Sequence, residues 1–442
     1  MSLRPEGYRS RLIENKVRES LRSFGGVCIE GPKWCGKTWL GLTSSNSAFM
    51  VGGTNEYGVS NRAAAELNVY SAIRGDAPHL IDEWQDVPGI WDAVRSEIDK
   101  RSEKGLFILT GSSNPKMQKP VHSGTGRIRH IRMRTMSLYE SGDSSGTVSL
   151  KTIMSGDPID FIQAPVSLEH LVDLTMGGGW PGNIGIPFED KITSVNGYLE
   201  SIIRDASQYD GVRRKESNLW MVMRSLARNE CTLASNKKIH NDTGVPLGED
   251  MPLILSKSMP DSIGEISYDT VSDYLDIFDR LFLIDNQIAF DPNLKSSVRV
   301  GKVSKRHLVD PALAIAALGA SKERLMKDLN AFGFFFESLC ERDLRIYAET
   351  MGAGLFHYRD DSGREVDAIV ELPDGRWGAF EIKLGANQIE DAAKNLLDFR
   401  KSLEKHGASR IPDVLCVICG LTEYSYLRND GVYVVAVTVL GP

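Results

Sequence analysis

Two rhythms of apolar and polar residues run along the chain. Tyr8 to Phe24 sets its apolar residues at helical spacing and stops before Gly25-Gly26, which predicts a helix leading into a strand. The short apolar run Gly26-Val27-Cys28-Ile29-Glu30 is that strand, and Trp39-Leu40-Gly41-Leu42 continues a helix after it. A polar stretch to Val59 reads as loop or lid, and Asn61 to Ile73 is helical again. Two further strands follow: Leu80-Ile81, closing in the paired acids Asp82-Glu83, and Gly105 to Asn114, closing in small polar residues. Gly126 to Arg134 alternates arginines with apolar residues at strand spacing, the mark of an edge strand with a charged outer face. Strands alternating with helices predict a doubly wound parallel sheet.

After the turn-rich Ser141 to Gly146 the period becomes helical. Ser167 to Met176, Lys191 to Ser207, Leu219 to Arg228, Ala234 to His240 and Ser267 to Leu283 are predicted helices, and Ile284 to Phe290 a strand. Three helices followed by a strand outline a winged helix. Phe334 to Glu349 is a helix, and Gly363 to Leu372 turns at Pro373-Asp-Gly375 into Trp377 to Lys383, a predicted hairpin. The expected domains are 1–145 (nucleotide-binding), 146–215 (helical lid or linker), 216–310 (winged-helix-like) and 311–442 (α/β).

Composition narrows the classes. A chain of 442 residues exceeds one ordinary core, and 41% hydrophobic with 25% charged residues is a globular balance. The net charge of −7 supplies no global field for nucleic acid, so any such contact needs a local patch. Six scattered cysteines, no disulfide framework and no membrane-length apolar run lead to the expectation of a soluble cytoplasmic protein.

The chemistry concentrates first at Gly31-Pro32-Lys33-Trp34-Cys35-Gly36-Lys37-Thr38, a complete GxxxxGK[ST] loop between a strand and a helix. The two glycines let backbone amides and the helix N-terminus, up to Trp39, cradle a pyrophosphate. Lys37 is expected to reach the β- and γ-phosphates, and Thr38 to offer Mg²⁺ a hydroxyl, because this cation takes few protein oxygens. Asp82 would orient the Mg²⁺ shell and Glu83 polarise the attacking water. Ser112 or Asn114, at the end of the next strand, is a candidate γ-phosphate sensor.

GPKWCGKT, LIDEWQDVP, FILTGSSN and GRIRHIRMRTMSLYE, in that order, resemble AAA-type P-loop ATPases of bacteria and archaea that carry a C-terminal domain of unknown function. Gly177 to Pro181, Tyr198 to Asp205 and Glu381-Ile-Lys383 extend the resemblance over nearly the whole chain. It implies ATP rather than GTP, a P-loop NTPase fold, a helical or winged-helix middle and a restriction-endonuclease-like C-terminal α/β domain. It maps the sensor to Ser112. The departures are a short second-acid strand and the bulky Trp84, which make nucleotide binding a firmer expectation than brisk hydrolysis.

The hairpin adds a second constellation. With period two, Glu381 and Lys383 share one face and Glu365 and Asp367 another, and the turn brings these faces together. Asp367, Glu381 and Lys383 match the D…ExK pattern of restriction-endonuclease-like sites. That resemblance implies Mg²⁺ on Asp367 and Glu381, with Lys383 steadying water or transition-state charge and Glu337 as an outer carboxylate. An ordinary salt-bridged hairpin is the alternative. The expected partners are ATP, DNA or RNA at the C-terminal domain, and a protein partner or homo-oligomer; the competing reading is a nucleotide-gated scaffold with an inactive nuclease-like domain. Arg204 reads as a surface charge, Cys416 and Cys419 as buried strand thiols, and His79 and His307 as isolated histidines without metal.

Overall fold

The computed structural model describes residues 3–54, 58–113, 124–244, 266–293, 302–360 and 362–442. The chain folds into two units, Met1–Met136 with Trp180–Gly182 and Arg280–Leu283, and the remainder, Ser137–Gly179, Asn183–Asp279 and Ile284–Pro442.

The first unit is built on a five-stranded parallel sheet of β1 (Gly26–Glu30), β2 (Ser47–Met50), β3 (His79–Asp82), β4 (Phe107–Gly111) and β5 (Ile128–Arg132), in the order β2-β3-β4-β1-β5. Successive side chains of a strand face opposite sides, so the short apolar strands feed two cores. Val27, Ile29, Leu80 and Ile108 pack with Val17 and Leu40 on one face. Cys28, Ile81 and Leu109 pack with Trp84, Trp91, Ile90 and Val94 on the other. β4 lies between β1 and β3, which sets the phosphate loop and the paired acids one strand apart. Two expectations are corrected here. The polar stretch before Val59 contains β2, an edge strand whose Ser47-Ala48-Phe49-Met50 is too short and too half-exposed to show a pattern. The first helix begins at Glu14 rather than near Tyr8, and Arg11 before it is buried.

In the second unit β6 (Val148–Ser149) pairs in parallel with β14 (Leu440–Gly441), close to the other end of the chain's fold. A seven-stranded mixed sheet contains β7 (Ile162–Gln163), β8 (Gly354–Arg359), β9 (Glu365–Glu371), β10 (Trp377–Gly385), β11 (Val414–Leu421), β12 (Tyr424–Leu427) and β13 (Val432–Ala436). Its order is β7-β12-β13-β11-β10-β9-β8. β9 and β10 form the expected antiparallel hairpin, with Phe380 opposite Ala368, and β10, β11 and β13 run parallel. The helix Ile389–Lys405 buries Ala392, Leu396 and Phe399 against Trp377, Ala379, Leu415 and Val417. On the opposite face, Gly420 lets Phe336 and Leu171 approach so closely that a Cβ there would meet both at 3.0 Å.

The middle helices are Leu168–Gly177, Phe188–Ser207, Glu216–Arg228, Asn236–Thr243 and Tyr268–Arg280. Among the described residues, the strand expected over 284–290 makes only isolated bridges, Ile284 to Leu308, Gln287 to Lys305 and Ala289 to His357. Apolar alternation there is satisfied by packing against two different partners rather than along one ladder.

The long helix Leu329–Thr350 carries a buried ion network at its centre. The Arg342 guanidinium pairs with Asp310 and with Asp343, each at 2.8 Å. Asp343 also accepts the Leu138 N–H at 2.9 Å, and Asp310 the Gly179 N–H at 3.0 Å. Removing the cation leaves two buried carboxylates uncompensated. Arg342→Met is therefore expected to destabilise the second unit by about 3–5 kcal/mol, measured as a lowered urea midpoint, with Arg342→Lys in between.

Candidate functional site

The phosphate loop is shaped first by its two glycines. A Cβ at Gly31 would lie 2.1 Å from the Met133 carbonyl oxygen, so only glycine lets the loop pass this strand. Gly36, at φ 103°, starts the helix Lys37–Thr43. Trp34 is held left-handed at φ 63° with its indole 72% exposed, an uncommon conformation for a bulky side chain. Buried Arg11 clasps the loop: its guanidinium donates to the Cys35 carbonyl at 2.7 Å and to those of Arg134 and Thr135 at 3.0 and 3.2 Å. Trp180 adds an indole N–H to the Lys33 carbonyl at 3.3 Å. Neither contact was visible in the sequence, because both join segments far apart along it.

Lys37 is buried and donates to the Pro32 carbonyl at 2.8 Å, so its ammonium lies within the loop. The Thr38 hydroxyl donates to Asp82 Oδ1 at 2.8 Å, and the Thr110 hydroxyl donates to the same oxygen at 2.6 Å. Thr110 in turn accepts the Glu83 N–H at 3.0 Å. Burial raises the Asp82 pKa, against the pull of the two hydroxyls. Glu83 sits in the left-handed region at φ 56°, which turns its side chain back toward β4. Its Oε2 accepts the Ser112 N–H at 3.2 Å, the Ser112 hydroxyl at 2.7 Å and the Gln85 amide. The bulky Trp84 is buried, its ring tilted against that of Trp91 with centroids 4.8 Å apart. Thus Gly31, Gly36, Lys37, Thr38, Asp82, Glu83 and Ser112 gather at the carboxyl ends of β1, β3 and β4. Asn114 lies outside the described residues. Arg204 is exposed. His79 is a core histidine, bonded to Ser47 Oγ and the Ala72 carbonyl, with its pKa lowered by burial.

In the second unit the hairpin register brings the D…ExK residues into contact. Lys383 Nζ lies 2.6 Å from Glu381 Oε2 and 3.2 Å from Asp367 Oδ2, and the Ile382 N–H donates to Asp367 Oδ2 at 2.7 Å. Burial, followed by the charge of Asp367, pushes Glu381 up to about 8 despite Lys383. Glu337, one helical turn before Glu341, is also pushed up to about 8 by burial. Lys305 carried no signal along the chain. Its buried ammonium pairs with Glu337, with Glu341 at 2.9 Å, and with the Asp367 carbonyl at 3.4 Å.

His307, expected to stand alone, does not: Nδ1 lies 3.2 Å from Glu230 Oε1 and Nε2 2.8 Å from Glu341 Oε2. Both Lys305 and His307 come from one extended segment whose alternate residues face the same way. Cys231 Sγ is 3.6 Å from Glu341 Oε2. Cys416 and Cys419 are buried thiols of β11.

Residues 24–141 match the family model of an AAA domain, residues 168–324 a domain of unknown function (DUF8612) and residues 332–440 a second domain of unknown function (DUF4143). No curated protein matches the sequence. Among solved structures, a Walker-type ATPase of Pyrococcus abyssi is similar with TM-score 0.43 and 12% identity, over 72% of this chain and 97% of that one. A replication initiator DnaA bound to AMPPCP and single-stranded DNA is similar with TM-score 0.25 and 14% identity, over 62% of this chain and 89% of that one. Likenesses this loose carry no argument about function. The N-terminal segment is an AAA-type, P-loop ATPase-like domain, as the family match and the parallel sheet agree. Among the described residues no helix is long and apolar enough to cross a membrane.

His307 makes stability depend on pH. Burial opposes its charge, but Glu341 and Glu230 outweigh burial and raise its pKa from 6.5 to about 9. A raised folded-state pKa means that the stabilisation is complete below about pH 6.5 and is lost as pH rises through about 9. The urea midpoint of the second unit is expected to fall over that window. His307→Gln is expected to flatten the fall, and an unchanged slope would refute the charged histidine.

Proposed function

We propose that the protein is a Mg²⁺-dependent ATPase of the AAA type whose C-terminal domain carries a restriction-endonuclease-like metal site able to act on nucleic acid. The observation that carries the ATPase reading is the hydrogen bond from Thr38 to Asp82, which joins the end of the phosphate loop to the acid strand. A hydroxyl and a buried carboxylate oxygen at one place are hard donors that fit Mg²⁺. Bound there, Mg²⁺ would neutralise charge on the β- and γ-phosphates.

The chain's own residues divide the remaining work. Amides of the Gly31–Thr38 loop and the Lys37 ammonium would bind the phosphates and leave the tail in line for attack. Glu83 would orient and polarise water, with the Ser112 hydroxyl donating to its carboxylate at 2.7 Å. For that step at least one of the donors on Glu83 Oε2 must yield to water.

In the C-terminal domain, Asp367 and Glu381 are the proposed ligands and Lys383 the proposed charge stabiliser. Two carboxyl groups this close in a buried place, one of them pushed up to about 8, suit a cation better than they suit each other. The helix Tyr268–Arg280 carries Asp269, Asp273, Asp276 and Asp279, and phosphates would repel it. A winged-helix reading of this region therefore favours protein contacts over duplex DNA.

The three donors on Glu83 favour a second reading, a nucleotide-gated scaffold in which binding changes conformation without turnover. Single-turnover phosphate release separates the two. For the ATPase, Lys37→Ala is expected to abolish nucleotide binding, whereas Glu83→Gln keeps binding and slows hydrolysis by about 10²–10⁴-fold. Normal hydrolysis by both variants would end the proposal.

A further inference from the structure

Lys305 is a lysine in an unusual place. It is 7% exposed, and its ammonium is held by three oxygens, one each from Glu337 and Glu341 and the main-chain carbonyl of Asp367. A buried lysine with no such partners would shed its proton. Here the two carboxylates and the carbonyl give the three ammonium protons an acceptor each. Two carboxylates and a carbonyl around one small cation form the kind of oxygen cage that hard divalent ions occupy. The cage also adjoins the proposed metal ligands directly, since the Asp367 residue that lends its carbonyl to Lys305 lends its carboxylate to Lys383.

We infer that Lys305 is the resident second cation of this site: its ammonium fills the cage that a two-metal nuclease would give to a second ion, so the site takes one divalent metal ion. The inference rests on the reading of Asp367 and Glu381 as metal ligands. Two-metal sites set their ions about 4 Å apart and share ligands between them. The shared residue here is Asp367, and Lys305 stands on its main-chain side.

Glu230, Glu337, Glu341, Asp367 and Glu381 face Lys305, His307 and Lys383 across this cluster.

Lys305 is also placed to be a positioning residue. Its main chain pairs with Gln287 in both directions, Lys305 N–H to the Gln287 carbonyl at 2.8 Å and Gln287 N–H to the Lys305 carbonyl at 2.9 Å. The next residue, Arg306, is anchored to Thr232, Ala234 and Asn236. The ammonium therefore reaches Glu337 and Glu341 from a backbone fixed on both sides.

The test counts Mn²⁺ bound to the full chain without nucleotide, by electron paramagnetic resonance of the free ion. The count at this site is the number lost on Asp367→Asn. In the wild-type protein that number is expected to be one; Lys305→Ala is expected to raise the total by one and to show spin coupling between neighbouring ions, and Lys305→Arg to leave the total unchanged. A wild-type count of two overturns the inference without recourse to any variant of Lys305, as does a Lys305→Ala protein that folds by circular dichroism yet gains no ion. A wild-type count of zero instead refutes the metal-site reading on which the inference rests, and the inference with it.

Discussion

One carboxylate oxygen holds the nucleotide site together. Asp82 Oδ1 accepts both the Thr38 hydroxyl from the helix after the phosphate loop and the Thr110 hydroxyl from β4. Because β4 separates β1 from β3, nothing in the sheet's own ladder joins the loop to the acid. The pair of hydroxyl bonds does so across the intervening strand. Hydrogen bonds to a charged acceptor are stronger than neutral ones, and burial of Asp82 strengthens them further. Arg11 and Trp180 secure the rest of the loop from outside, through its carbonyls.

The same economy of position appears at Glu83. Its left-handed backbone costs on the order of 1 kcal/mol or more. The next residue, Trp84, is buried with its ring centroid 4.8 Å from that of Trp91. The acid is thereby directed to Ser112 at the end of β4. Strain, aromatic packing and the orientation of a proposed base are one local arrangement.

Much of this was legible in the sequence. The GxxxxGK[ST] loop fixes backbone geometry by glycine placement, and Gly31 proves to be a place where any Cβ would strike a carbonyl. The apolar strands were legible because both faces of a parallel sheet are covered. β2 was not, since an edge strand of four half-exposed residues carries no such pattern. The hairpin was readable from Pro373-Asp-Gly375 and period two, which is why Asp367, Glu381 and Lys383 could be named. Lys305 and His307 could not be: what makes them important is a bridge between Gln287 and Lys305, and long-range pairing of isolated residues leaves no periodic trace. Arg11 and Trp180 escaped for the same reason.

The central claim is that Thr38 and Asp82 meet in order to hold the metal of a bound nucleotide. Its most direct test is anomalous scattering from a crystal of the full chain soaked with a non-hydrolysable ATP analogue and Mn²⁺. The account predicts a manganese peak about 2.1 Å from Thr38 Oγ1, with Asp82 beside it and Lys37 on the terminal phosphates. A nucleotide bound with its metal remote from Thr38 and Asp82, or a loop that takes no nucleotide at saturating concentration, would contradict it.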